Sequence, residues 1–156
     1  DALCAARNLF FQPRLCPGGG ATEMAVAVHL DQLCKAIEGV QKWPYKSVST
    51  ALEVIPRTLV QNCGGDAIRL LTELRAKHAA GNASTWGIDG ISGKIVDMKE
   101  YGIWEPAVIK SQSIKTAIES ACMILRVDDI VSGLRQRESQ SGGPMQAASD
   151  DREAQD

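Results

Sequence analysis

Three consecutive glycines, Gly18, Gly19 and Gly20, lie between Pro17 and the run Ala21-Thr22-Glu23-Met24, where a helical apolar pattern begins. Glycine accepts positive φ and lets another group come close to the main chain. A helix N-terminus adds unpaired N–H groups and a partial positive charge. Together they make a seat for a polar ligand such as a nucleotide, although a glycine turn before a helix is more often only a turn. Glu105, before Pro106, reads as the acid of a helix start, favoured there by ~0.3–1 kcal/mol through the helix dipole. Asp89-Gly90 reads as turn chemistry. Asp128-Asp129 is a pair of carboxylates, but neighbours on a strand point to opposite faces. That pair reads as structural, with a role in contact between subunits. By residue type alone Asp1 is an N-terminal helix residue, His29 a helix-face residue and His78 a helix-end cation. Trp43, Trp86 and Trp104 read as packing anchors.

These groups need elements to hold them. Asp1 to about Phe11 has helical spacing in Ala2, Ala5, Ala6 and Leu9 and reads as a helix already under way, so part of a longer chain is expected. Pro13 and Pro17 mark a connection. A second helix is expected from about Ala21 to Ile37, with Val26, Leu30, Leu33 and Ile37 as its buried stripe. The next starts near Pro44 and carries Val48, Ala51, Leu52, Ile55 and Leu59 through Asn62, with a break or kink at Pro56. Cys63-Gly64-Gly65 stops it, and Asp66 can cap a helix carrying Ile68, Leu71 and Leu74. That helix ends near Gly81-Asn82. Thr85–Ile88 and Lys94–Asp97 flank a turn-rich segment and predict a β-hairpin. Pro106 then opens a long helix to about Arg126, with Ile114, Ala117, Ile118, Ala121 and Leu125 on its buried face. Asp128–Ser132 predicts a short closing strand, and the polar residues from about Arg135 predict a disordered tail. The expected fold is mainly α, a helical bundle with one hairpin and a terminal strand. A lone hairpin and a lone strand need partners for their edges, which points to assembly.

Composition narrows the functions. The 156 residues suffice for one domain with a core. A net charge of −2 lacks the basic field that nucleic acid asks for. No apolar run is long enough to span a bilayer. The five cysteines are widely spaced and form no CxxC pair; with two histidines beside them they predict no zinc site. They read as reduced core cysteines of an intracellular protein.

Several motifs, in order and at matching spacing, resemble the C-terminal part of a group II chaperonin subunit, of the eukaryotic cytosolic kind. They are Asp1-Ala2-Leu3, Pro17–Ala21, Leu52–Leu59, Leu74–His78, Lys94–Met98, Gly102–Pro106 and Arg126–Ile130. The resemblance covers about residues 1–134. It implies an ATP-driven folding machine built as a double ring of related subunits, in the cytoplasm, acting on unfolded polypeptides such as cytoskeletal proteins. It also implies domain limits: 1–14 ends the intermediate domain, 15–134 is the C-terminal half of the equatorial ATP-binding domain, and 135–156 is the tail.

The resemblance assigns roles residue by residue. Gly19, with Gly18 and Gly20, corresponds to a backbone contact with the ribose and adenine end of ATP or ADP. Asp89-Gly90-Ile91 corresponds to the adenine loop. Glu105 corresponds to the acid that holds the ribose hydroxyls, and Lys110 is placed beside the nucleotide. Asp1 corresponds to the catalytic aspartate that orients the attacking water while Mg²⁺ neutralises the phosphates. A phosphate loop of Gly-Asp-Gly-Thr-Thr type is not among these residues, nor is the family's magnesium-binding aspartate. This chain alone is therefore expected not to hydrolyse ATP. The alternative is a subunit that mainly builds the ring and turns ATP over weakly or not at all.

Overall fold

The structure is a computed structural model that describes residues 1–81 and 83–129. Helix α1 (Ala2–Phe11) leads into strand β1 (Leu15–Pro17) and the glycine turn, then helix α2 (Ala21–Ala36). Helices α3 (Lys42–Leu52), α4 (Val54–Asn62) and α5 (Ala67–Ala79) follow. Strands β2 (Trp86–Ile88) and β3 (Ile95–Asp97) come next, then β4 (Trp104–Pro106) and helix α6 (Ala107–Ile124). The chain is mainly α, as expected. The β2–β3 pair is the antiparallel hairpin predicted from the sequence. The tail from about Arg135, and Ile130 to Ser132 of the predicted closing strand, lie outside the described residues. Asp128 and Asp129 are exposed and belong to no strand.

Local chemistry explains most boundaries. Asp66 caps α5 by accepting from the N–H groups of Ile68 and Arg69. The long third helix breaks into α3 and α4 at Glu53, ahead of Pro56. Pro56 has no N–H for the carbonyl of Leu52, and its ring crowds that carbonyl. Glu53 at the break is 4% exposed and accepts three hydrogen bonds from the Arg75 guanidinium on α5, two on Oε1 and one on Oε2. That bonding raises the Arg75 pKa, against the opposing effect of burial.

The core is one cluster of Met24, Val60, Leu71, Leu74 and Ile88, with Val28, Leu59, Trp86 and Ile95 packed against it. It sits where α2, α4, α5 and the hairpin meet. Several expected faces are rotated away from it. On α2 the buried face is Ala21, Glu23, Met24, Ala27 and Cys34, while Leu33 is exposed. Ile68 on α5 is exposed too. Helix α6 has no buried residue, so the expected burial of Ile114, Ala117, Ile118, Ala121 and Leu125 is not seen. Its Ile114 and Ile118 instead face Val26, Leu30, Val48 and Leu52 across a groove of about 340 Å³. Val26 and Leu30 of the α2 stripe read from the sequence thus form one wall of an open groove, because periodicity gives the apolar face but not what lies opposite.

Three further expectations are corrected. Of the cysteines only Cys34 is buried; Cys4 and Cys122 are exposed. Trp43 and Trp104 are substantially exposed, whereas Trp86 packs on the core with the Lys77 ammonium 3.9 Å from its ring centroid. His78 is buried, not a helix-end cation. Its Nε2 lies 2.8 Å from the carbonyl oxygen of Trp86, so Nε2–H donates to it. Burial lowers the His78 pKa below the ordinary 6.5, and the bond to Trp86 offsets only part of this. The fold therefore holds the neutral imidazole. Its contribution to stability is present above the unfolded pKa and is lost as pH falls from there toward the lower folded value. Unfolding measured between about pH 7 and about pH 5 should show a loss that His78→Gln reduces. An equal loss in both proteins would contradict this reading.

Candidate functional site

The glycine turn is held from two sides. β1 pairs antiparallel with β4, setting Cys16 opposite Glu105 and Pro17 opposite Trp104. The ladder continues past both ends: Gly18 N–H donates to the Ile103 carbonyl at 3.1 Å, and Ala107 N–H to the Arg14 carbonyl at 3.0 Å. From the other side, the hairpin residue Ile88 donates its N–H to the Gly19 carbonyl at 2.8 Å. Thr22, in the first turn of α2, donates its hydroxyl back to the Pro17 carbonyl. So the glycines, the hairpin and the segment carrying Glu105 meet at one place, although they are far apart in sequence.

Much of the closeness that glycine permits is used by protein. A Cβ on Gly18 would stand 2.7 Å from Ile103 Cγ2 and 3.1 Å from Glu105 Oε1. One on Gly19, whose φ is +61°, would stand 2.6 Å from Met98 Sδ and 2.8 Å from the Ile88 carbonyl. The turn is stripped of side chains so that β4 and the hairpin can cross it. Glu105 remains at its edge, with Oε1 directed over Gly18.

Lys110 lies one turn into α6. Its Nζ is 2.8 Å from Glu105 Oε2 and 2.5 Å from Glu23 Oε1. Burial lowers the Lys110 pKa, but the bonds to Glu105 and Glu23 outweigh burial and the net shift is upward. The ammonium is therefore charged across the physiological range. Glu23 is 1% exposed, and its Oε2 has no hydrogen-bond partner among the described residues. The sequence reading passed over Glu23. An acid in the first helical turn is ordinary, and its one distinguishing signal is that it stands within a wide apolar face.

The hairpin turn shapes itself. The Asp89 carboxylate accepts from Ile91 N–H, Ser92 N–H and the Ser92 hydroxyl. The Ser92 hydroxyl and the Ile91 N–H hold its pKa below the usual carboxylate value. The Cys63 thiol donates to the Gly90 carbonyl at 2.9 Å. Ile91 is 94% exposed at the tip. Asp1 is exposed, precedes α1 and makes no capping bond with its side chain. Among the described residues no group of three His, Cys, Asp or Glu side chains could hold a metal ion. No described helix is long and apolar enough to cross a membrane.

The sequence pattern of the TCP-1/cpn60 chaperonin family matches residues 1–134. The chain belongs to this family. It is 67% identical over 138 residues to the T-complex protein 1 subunit gamma of Saccharomyces cerevisiae, covering 88% of this chain and 26% of that protein. It is 56% identical over 146 residues to the subunit of the same name from Homo sapiens, covering 92% and 27%. This chaperonin chain thus spans about a quarter of the length of the curated relatives it matches. A solved structure, the open state monomer of a group II chaperonin from Methanococcoides burtonii, aligns with a TM-score of 0.69 at 36% identity. The alignment covers 72% of this chain and 28% of that one. The gamma relatives agree with the resemblance of Trp43-Pro44-Tyr45 and the run Arg69–His78 to a chaperonin gamma subunit.

Proposed function

We propose that this chain is the C-terminal part of a subunit of the cytosolic chaperonin ring, and that it supplies the ribose and base side of an ATP site. The observation that carries this is the convergence of the glycine turn, the hairpin and Glu105. The ribose of ATP presents hydroxyl donors, and Glu105 keeps one carboxylate oxygen clear of Lys110 to accept them. Gly18 gives that oxygen a side-chain-free floor. The hairpin turn, with its small residue Gly90, suits the face of an adenine. In this reading residues 1–14 end the intermediate domain and 15–134 are the C-terminal half of the equatorial domain. Asp1 is the carboxylate that orients water for hydrolysis, carried by a helix able to move against the rest. The phosphates and magnesium are held by residues outside this chain. ATP turnover drives the folding of polypeptide substrates in the ring formed with related subunits.

Glu105→Ala in the full-length subunit should lower its nucleotide affinity by roughly 10-fold, the size of a lost hydrogen bond to a charged group. Nucleotide occupancy of the purified assembly reads this directly. A second reading, a subunit that mainly builds the ring, is favoured by the way Met98 and Pro56 already fill the space beside Gly19 and Gly20. Under that reading Glu105→Ala leaves occupancy unchanged.

A further inference from the structure

We infer that Glu23 and Lys110 are a positioning pair that fixes the free oxygen of Glu105 over the glycine turn, so that Lys110 acts through Glu105 and not on the nucleotide. The inference rests on the reading of Glu105 given above and deepens it.

The three side chains form a chain from core to surface. The Glu23 side chain is 2% accessible, Lys110 19% and Glu105 38%. A carboxylate as buried as Glu23 needs a charged partner, and Lys110 is that partner at 2.5 Å. With its position set from below, Lys110 has only a short reach left, and it spends it on Glu105 Oε2 at 2.8 Å. Glu105 without this clamp would be a half-exposed side chain free to turn into solvent. With it, Oε2 is occupied and Oε1 is left over Gly18.

Charge points the same way. Two carboxylates and one ammonium sum to a negative trio. Such a trio does not draw in a polyphosphate; it suits a neutral hydroxyl donor. Glu23 also sits in the first turn of α2 and Lys110 in the first turns of α6. Their bond therefore ties the helix that follows the glycine turn to the helix that follows Glu105. The unpartnered Oε2 of Glu23 is a cost that an apolar pair would not carry. It fits a contact kept for geometry more than for stability.

The test compares ATP with 2′-deoxy-ATP on the full-length subunit in its native assembly. A ribose-binding Glu105 should favour ATP by on the order of 10-fold, and Glu105→Ala should abolish most of that preference. Lys110→Met should abolish it to a similar extent, and Lys110→Arg should restore part of it. The double variant Glu105→Ala/Lys110→Met should be no worse than Glu105→Ala. Lys110→Met leaves Glu23 buried without its partner, so Glu23→Met/Lys110→Met is measured beside it; the pair is then apolar, the fold is kept, and the preference should still be lost. Preference lost in Glu105→Ala but intact in both lysine variants overturns the positioning role and leaves the ribose reading standing. Equal weakening of both nucleotides by Lys110→Met also overturns it, since that is the mark of a phosphate contact or of general destabilisation. An unchanged preference in Glu105→Ala overturns both readings together.

Discussion

Asp1→Ala in the full-length subunit should cut ATP turnover by about 10²–10⁴-fold, the usual loss when a general base or water-positioning group is removed. Nucleotide affinity should barely change. The Asp1 carboxylate is exposed and makes no capping bond, so little of the fold depends on it. Helix α1 has no buried residue, and its ten residues span roughly 15 Å. It is joined to the remainder through β1 and the contact of α1 with β4. An arm attached in this way can carry a carboxylate toward a bound nucleotide without disturbing the core, and chemistry then waits on that movement. Asp1→Asn keeps the size but not the charge and should lose nearly as much. Single-turnover hydrolysis measured beside equilibrium binding separates the two effects. A fall in affinity with turnover per bound ATP unchanged would contradict the assignment.

Gly19→Ala should destabilise the fold by about 2–5 kcal/mol. Positive φ at a residue with a Cβ costs about 1–2 kcal/mol, and overpacking a closed site adds about 1–3 kcal/mol. Both apply at Gly19, where φ is +61° and Met98 Sδ and the Ile88 carbonyl stand within 3 Å of the would-be Cβ. Met98 is wholly buried, and the Ile88 carbonyl belongs to the main chain, so neither can yield cheaply. Gly39→Ala is the matched control. Its φ is +79° with nothing within 4 Å, so only the backbone part should be lost. Chemical unfolding of the two variants gives the difference. Equal losses would mean that the crossing of hairpin and glycine turn is looser than described.

What the sequence discloses depends on how local the cause is. The Asp66 cap, the hairpin and the break enforced by Pro56 follow from a few neighbouring residues, and all are legible. The β1–β4 pair is not. Leu15-Cys16-Pro17 and Trp104-Glu105-Pro106 are three residues each, too short for alternation to register, and each ends in a proline that argues against a strand. Yet this pairing is what brings Glu105 to the glycines. The burial of His78 depends on strand β2 packing against α5, where the Trp86 carbonyl accepts from it, and the exposure of α6 on what stands opposite it. Neither is a property of the helix itself. At the site, the glycine turn announces itself by composition. Glu105 and Asp1 gain meaning only from the series of family motifs. Glu23 is silent, because its role appears only when Lys110 comes to it from 87 positions away.

The central claim is that the hairpin turn and the glycine turn face the base and ribose of ATP. Photolabelling the native assembly with an azido-adenine ATP analogue, followed by peptide mapping of this subunit, tests it most directly. The account predicts label in the segment 87–93 or in 17–22, removed by competing ATP and reduced by Glu105→Ala. Label confined to other segments of the subunit, with these two clean, would contradict it.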